Sequence, residues 1–218
     1  MNAAAARVAV LVSGEGSNLQ ALIDAAAAST LGAKIVLVVS NRGTARGLER
    51  ARAAGIAAVH VPAPREVARE IYDETLATAV ATHAPDLVVL AGFMRILGPA
   101  FIDRFSGRML NIHPSLLPSY PGLDTHRRVL EAGERWHGTT VHFVTAELDA
   151  GPTVLQYRIP VRSDDTVETL AQRIHVGEHV ILPRAVEWFA AGRLRLERGS
   201  VMLDARPLAQ PVVVEGAM

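Results

Sequence analysis

Four strand-length runs rich in Val, Ile, Leu and Ala recur early in the chain, at Val8–Val12, Lys34–Ser40, Ala57–Val61 and Asp86–Ala91. Helical stretches separate them, from Ser17 to about Ala28, from about Gly47 to Ala54 ahead of Gly55, and from Glu66 to His83. The first run, Val8-Ala9-Val10-Leu11-Val12, is apolar without alternation, as in a strand buried on both faces. Strands joined through helices pair in parallel, and burial on both faces requires helices on both sides. The expected fold is therefore α/β, a doubly wound, mostly parallel sheet with helices on both faces. Ligands of such sheets bind outside the carboxyl ends of the strands.

The remainder extends this pattern. Gly92–Leu97 turns into a helix reaching about Phe105, and Arg108-Met109-Leu110 leads a strand into Asn111-Ile112-His113. After a proline-bounded loop, His126–Glu131 reads as a short helix and Thr139–Val144 as an alternating strand. A tight loop, Thr145–Pro152, precedes a strand over Val154–Val161. A long helix is expected from Asp165 to Ala190, with Glu168 supporting its cap and Pro183 inside it. Arg193–Arg198 and Val201–Asp204 suggest a small hairpin, and residues 205–218, with two prolines, a loose tail. One domain over residues 1–204 accounts for the chain.

The 22 basic and 22 acidic residues cancel, which removes any overall electrostatic drive toward nucleic acid or an anionic membrane. No cysteine is present, excluding disulfides, thiol nucleophiles and Cys-based zinc sites. No stretch approaches the roughly 20 apolar residues of a membrane helix. The start carries no signal-type core, so a cytoplasmic location is expected.

Three groups of residues carry chemistry. Ser13-Gly14-Glu15-Gly16-Ser17-Asn18-Leu19-Gln20 is a glycine turn opening a helix, where free N–H groups and the helix dipole suit a phosphate. Ser17 and Gln20 fit a capping box. Leu19 replaces the third glycine of a dinucleotide fingerprint, and the second strand lacks the ribose-binding acid, so a monophosphate is the better match. In the second group, Asn111 and His113 lie two apart on a strand and look into the same space, ahead of a loop stiffened by Pro114 and Pro118. Asp149, before Gly151-Pro152, serves either as a turn residue or as a carboxylate for that imidazole. An amide and an imidazolium can both donate to a developing oxyanion. In the third, Glu178 falls within the apolar stripe of the long helix, so it either points into a site or escapes at the stripe edge. No G-x-S-x-G elbow accompanies His113, so a substrate would supply the nucleophile.

Five stretches in order resemble the folate-dependent phosphoribosylglycinamide formyltransferases of purine biosynthesis. They are Ser13–Leu19, Ala91–Leu97, Asn111–Pro118, His137–Thr139 and Glu147–Pro152, within a resemblance spanning roughly residues 7 to 204. The resemblance implies a formyltransferase-like fold and Asn111, His113 and Asp149 as the catalytic trio. It implies that Gly16, Ser17 and Asn18 hold the ribose phosphate and that Glu178 contacts the glycinamide substrate. Arg69, the backbone of Met94, Arg95, Ile96 and Leu97, Asn111, and the loop of Thr145, Ala146, Glu147, Leu148 and Asp149 would form the folate side. The implied co-substrate is 10-formyltetrahydrofolate, without a metal, and the partners are small molecules; monomer and homodimer stay open. Ser119 and Asp124 stand where such enzymes carry Lys and His, and His175 where they tend to have Gln or Lys.

Two other activities fit parts of the sequence. A 10-formyltetrahydrofolate hydrolase would use the same trio but is expected to carry a regulatory domain ahead of the first strand. His175-Val176-Gly177-Glu178-His179 matches the H-x-x-E-H pattern of some zinc peptidases, with two histidines one helical turn apart. A phosphate-binding module without catalysis would leave the trio structural. His60, His137 and His142 are expected to be structural or exposed, with no role.

Overall fold

The computed structural model describes residues 5–64 and 66–216. Its main sheet contains β1 (Ala6–Val12), β2 (Ala33–Ser40), β3 (Ala58–His60), β4 (Leu87–Leu90), β5 (Met109–His113), β6 (Trp136–Phe143), β7 (Thr153–Pro160) and β11 (Val212–Glu215). The spatial order is β11-β7-β6-β5-β4-β1-β2-β3. Only β6 pairs antiparallel with its neighbours β5 and β7; every other pairing is parallel. A small second sheet joins β8 (Leu194–Glu197), β9 (Ser200–Leu203) and β10 (Arg206–Pro207).

Alternation along β1 separates two cores. Val8, Val10 and Val12 face α1 (Ser17–Ala27), α2 (Arg46–Ala53) and α6 (Val167–Ala190), through Leu22, Leu48 and Ile181. Ala9 and Leu11 face α3 (Arg69–Ala81) and α4 (Pro99–Arg104), through Leu76 and Phe101. A short α5 (Thr125–Glu131) packs with α6. Each strand of the β1–β4 pair is thus dry on both faces, the reason its residues carry no polar alternation.

From β1 the chain builds outward to β2 and β3 on one side, then returns to β4 and β5 on the other. The crevice between the carboxyl ends of β1 and β4 is therefore the topological switch point, where open α/β sheets bind ligands. Ser13 crosses it: its N–H donates to the Gly92 carbonyl at 3.0 Å and its Oγ accepts from the Met94 N–H at 2.8 Å. The Ser13 hydroxyl also donates to Asn41 Oδ1 at 2.6 Å, tying in the end of β2.

Two expectations fail here. Of the loose tail expected over 205–218, residues 217–218 lie outside the described residues and the rest is tied down: Val212–Glu215 pairs in parallel with Leu155–Arg158, and Arg158 forms an ion pair with Glu215. The β-branched run Val212-Val213-Val214 outweighs the two prolines, and the boundary expected after residue 204 falls between the paired strands β9 and β10 of the small sheet. Ser17 does not cap α1. Gly16 occupies the N-cap with φ 73°, and Gln20 turns away, donating to Asp24 and accepting from Arg50. At the start of α6, Thr166 and Thr169 close the capping box, and Glu168 supports it from the first turn, its pKa lowered by a backbone N–H and the Thr166 side chain.

Candidate active site

On β5, Leu110 and Ile112 enter the core while Asn111 and His113 project from the opposite face. The antiparallel register sets His142 of β6 directly across from Asn111, and Thr140 across from His113. The face that is apolar beneath α3 and α4 thus turns polar at β5 and β6. The β6–β7 loop brings Asp149 over this patch, with Asp149 itself at φ 53°.

Here the side chains converge. His113 Nδ1 lies 3.3 Å from Asp149 Oδ2, with both side chains 7% exposed. His113 Nε2 lies 3.0 Å from the Tyr120 carbonyl oxygen. Each ring nitrogen of His113 thus faces an oxygen acceptor, and only the imidazolium can donate to both. Behind it, Thr139 donates to the His113 carbonyl at 2.9 Å and holds the strand end. Asp149 Oδ2 also accepts the Gly122 N–H at 2.9 Å, so the loop after β5 touches both members of the pair.

His142 was expected to carry no role, and the structure corrects this. Its Nδ1 sits 3.0 Å from the Phe143 carbonyl, which assigns the proton to that nitrogen. Its Nε2 is then an acceptor for Asn111 Nδ2 at 3.1 Å and lies 3.8 Å from Asp149 Oδ1. Burial pushes the His142 pKa down, outweighing the Phe143 carbonyl and Asp149, so the ring stays neutral. A neutral acceptor orients the Asn111 amide and leaves its second N–H free. The signal lay in the alternation of β6, but it needed the β5–β6 register to be read.

The second expected group assembles at the start of α1. Gly16 packs so closely on α2 that a Cβ would lie 2.7 Å from Gly47 Cα, and its positive φ favours glycine. The first N–H groups of α1, from Ser17 onward, lack intrahelical partners, and no side chain caps them among the described residues. Asn18 Nδ2 donates to Glu178 Oε2 at 2.8 Å, linking α1 to α6. Glu178 is 4% exposed, so it points inward rather than escaping. Burial raises its pKa, with the Asn18 hydrogen bond opposing. Asn18 Oδ1 is buried without a hydrogen-bond partner among the described residues, an acceptor awaiting a donor.

The third group spans the carboxyl end of β4 and the β6–β7 loop. Met94 and Ile96 are exposed beside the switch point, while the Leu97 side chain is buried and offers only its backbone. The Arg95 guanidinium stacks 4.4 Å above the Tyr72 ring. Arg69 opens α3, next to the Gly98 peptide that precedes α4. In the β6–β7 loop, Thr145 donates to the Glu147 carbonyl and Leu148 is exposed.

The His175 and His179 rings stack 6.5 Å apart, but Glu178 between them is bonded to Asn18. No cluster of three or more His, Cys, Asp or Glu side chains fit to hold a metal occurs among the described residues. His137, also expected to be idle, is buried and meets His126 at 2.9 Å; burial pushes its pKa down to about 3. No helix among the described residues is long and apolar enough to cross a membrane.

The chain also has relatives among known proteins. Residues 6–186 match the sequence family described as formyl transferase. The chain is 51% identical over 201 residues to the phosphoribosylglycinamide formyltransferase of Escherichia coli K12, covering 92% of this chain and 95% of that protein. It is 44% identical over 202 residues to the enzyme of the same name from Haemophilus influenzae, covering 93% and 95%. Among solved structures, the phosphoribosylglycinamide formyltransferase of Coxiella burnetii in complex with CHES superposes with a TM-score of 0.91 at 48% identity, over 95% of this chain and 98% of that one. A formyltetrahydrofolate deformylase from Pseudomonas syringae superposes with a TM-score of 0.85 at 28% identity, over 92% of this chain and 66% of that one.

Proposed function

The chain belongs to the formyl transferase family, and from that premise we propose that it moves a formyl group from 10-formyltetrahydrofolate to the amine of 5-phosphoribosylglycinamide. The products are formylglycinamide ribonucleotide and tetrahydrofolate, a step of purine biosynthesis. The reading rests above all on one arrangement: His113 between Asp149 and the Tyr120 carbonyl, with the Asn111 amide turned by neutral His142.

In the proposed reaction the substrate amine attacks the formyl carbon, and the carbonyl π electrons move to oxygen. The free N–H of Asn111 and protonated His113 donate to that oxyanion. For His113 to do so, its Nε2 exchanges the Tyr120 carbonyl for the substrate oxygen. Asp149 stabilises the imidazolium and takes part in moving the proton lost by the attacking amine to N10 of the folate. The carbon–N10 bond then breaks, its electrons return to N10, and the formamide carbonyl re-forms. Asn111, His113 and Asp149 are the catalytic residues of this scheme.

Binding is divided along the sheet edge. Gly16, Ser17 and Asn18 offer backbone N–H groups to the ribonucleotide phosphate, and Glu178 with Asn18 Oδ1 offers acceptors to its hydroxyl or amine donors. Folate contacts Arg69, the Met94–Leu97 backbone, Asn111 and the loop from Thr145 to Asp149. The hydrolase reading shares the trio and differs only in using water as the acceptor. The transferase reading is favoured by 51% identity to a formyltransferase against 28% to the deformylase.

The deciding assay follows loss of the formyl group from 10-formyltetrahydrofolate with and without the ribonucleotide, for the wild type and His113→Ala. Turnover only with the ribonucleotide present, and much less of it in the variant, is the expected result. Formate release without the ribonucleotide would move the protein to hydrolysis.

A further inference from the structure

Asp73 is an aspartate on the buried side of α3, 2% exposed, in an otherwise apolar core of Leu76, Phe101 and Phe105. A carboxylate in such surroundings is costly unless its oxygens are engaged. One oxygen meets two different elements. Asp73 Oδ2 accepts the Gly98 N–H at 2.7 Å, at the entry to α4, and lies 3.6 Å from Arg69 Nε, one turn back on α3. The fit leaves no slack: a Cβ on Gly98 would stand 2.6 Å from Asp73 Oδ2 and 3.5 Å from Arg69 Nε.

Gly98 immediately follows Met94–Leu97, whose backbone starts from the Ser13 anchor at the switch point. The Arg69 side chain is 47% exposed, and among the described residues its terminal nitrogens make no hydrogen bond. With Nε the nitrogen nearest Asp73, the Nη edge of Arg69 is left for a ligand, the edge that can grip a carboxylate with two parallel bonds.

We infer that Asp73 is a positioning residue of the folate side, whose Oδ2 clamps the Gly98 peptide and the Arg69 guanidinium together and so sets the Arg69 charge relative to the Met94–Leu97 backbone. This rests on the proposed folate role of Arg69. Asp73 touches no reacting atom; it acts through Arg69 alone. It orients the cation without consuming the edge that an anionic folate would use.

The test is steady-state kinetics on full-length Asp73→Asn, which keeps an oxygen acceptor for the Gly98 N–H but removes the anion beside Arg69. The KM for 10-formyltetrahydrofolate is expected to rise about fivefold, the scale of a partly exposed ion pair, with the ribonucleotide KM, kcat and melting temperature unchanged. In an Arg69→Ala background the same substitution is expected to add nothing. Equal effects on both KM values, or a lower melting temperature with both unchanged, would reduce Asp73 to a helix cap and overturn the inference. Should Asp73→Asn not fold, Gly98→Ala displaces the carboxylate from the other side and is expected to give the same folate-selective rise; its absence counts equally against Asp73. An unchanged folate KM in Arg69→Ala alone would instead refute the folate role of Arg69, a result separable from the behaviour of Asp73.

Discussion

Asp149, in the β6–β7 loop, and Glu178, within α6, are both nearly buried carboxylates, with side chains 7% and 6% exposed, yet their surroundings differ. Asp149 stands among donors and titratable rings: the Gly122 N–H, His113 at 3.3 Å and His142 at 3.8 Å. Among the described residues Glu178 has a single hydrogen-bond donor, Asn18 Nδ2, with His175 Nε2 no closer than 4.0 Å. Burial accordingly raises the Glu178 pKa. A carboxylate that passes protons needs neighbours that change charge with it. One that waits for a ligand's donors is kept underpartnered, and the ordered ligand completes its shell.

The sharpest way to break this contrast is at the imidazole. His113→Ala is expected to lower kcat by about 10²–10³, the scale of a lost oxyanion donor, with the fold intact by circular dichroism. Near-normal turnover would leave Asp149 as a turn residue and erase its distinction from Glu178.

His142→Ala asks whether the neutral ring matters beyond packing. Asn111 Nδ2 would lose its acceptor, and kcat is expected to fall about tenfold, as for one buried hydrogen bond, with both KM values nearly unchanged. A matching rise in the KM values would place His142 in binding instead.

Glu178→Gln sharpens the other half. It keeps an oxygen for Asn18 but removes the charge, so the ribonucleotide KM is expected to rise about tenfold with the folate KM unchanged. Stability moves the opposite way. The folded-state pKa of Glu178 lies above its ordinary 4.5, so its contribution is present at acid pH and lost as pH rises through the raised value. The variant is therefore expected to melt above the wild type near pH 7 and to converge with it near pH 4, read by thermal melts across that range. Parallel melting curves would show that the buried charge is not the costly one.

The smallest effect is expected at the His126–His137 pair. The His137 pKa is depressed to about 3 from an ordinary 6.5, so its stabilising contribution is complete above 6.5 and is lost as pH falls toward 3. His137→Gln should flatten the acid side of the melting-temperature profile and leave kcat at pH 7.5 within about twofold, the range of a substitution away from the reacting groups.

Legibility in the sequence followed range. The continuous run Val8–Val12 announced a strand dry on both faces, and the glycine turn after it announced a helix start; both depend on residues within a few positions of one another. The cap itself was misread because Ser17 and Gln20 satisfy a local pattern that the positive φ of Gly16 pre-empts. An edge strand such as Val212–Glu215 is defined by its partner, β7, and not by its own sequence neighbours. His142 was passed over for the same reason: its meaning lies in being opposite Asn111.

The sequence by itself determined the α/β class, the placing of Gly16–Asn18 and Asn111–His113 at strand ends, and the chemical types available there. Periodicity and turn chemistry act over a few residues, so they can be read without coordinates. Only the tertiary structure decided which of those groups meet. Asn18 bonds to Glu178 across 160 positions, His113 faces an aspartate from another loop, and His142 stays neutral because the folded core excludes water around it. Hydrogen-bond partners and desolvation belong to the packed chain, and no local pattern contains them.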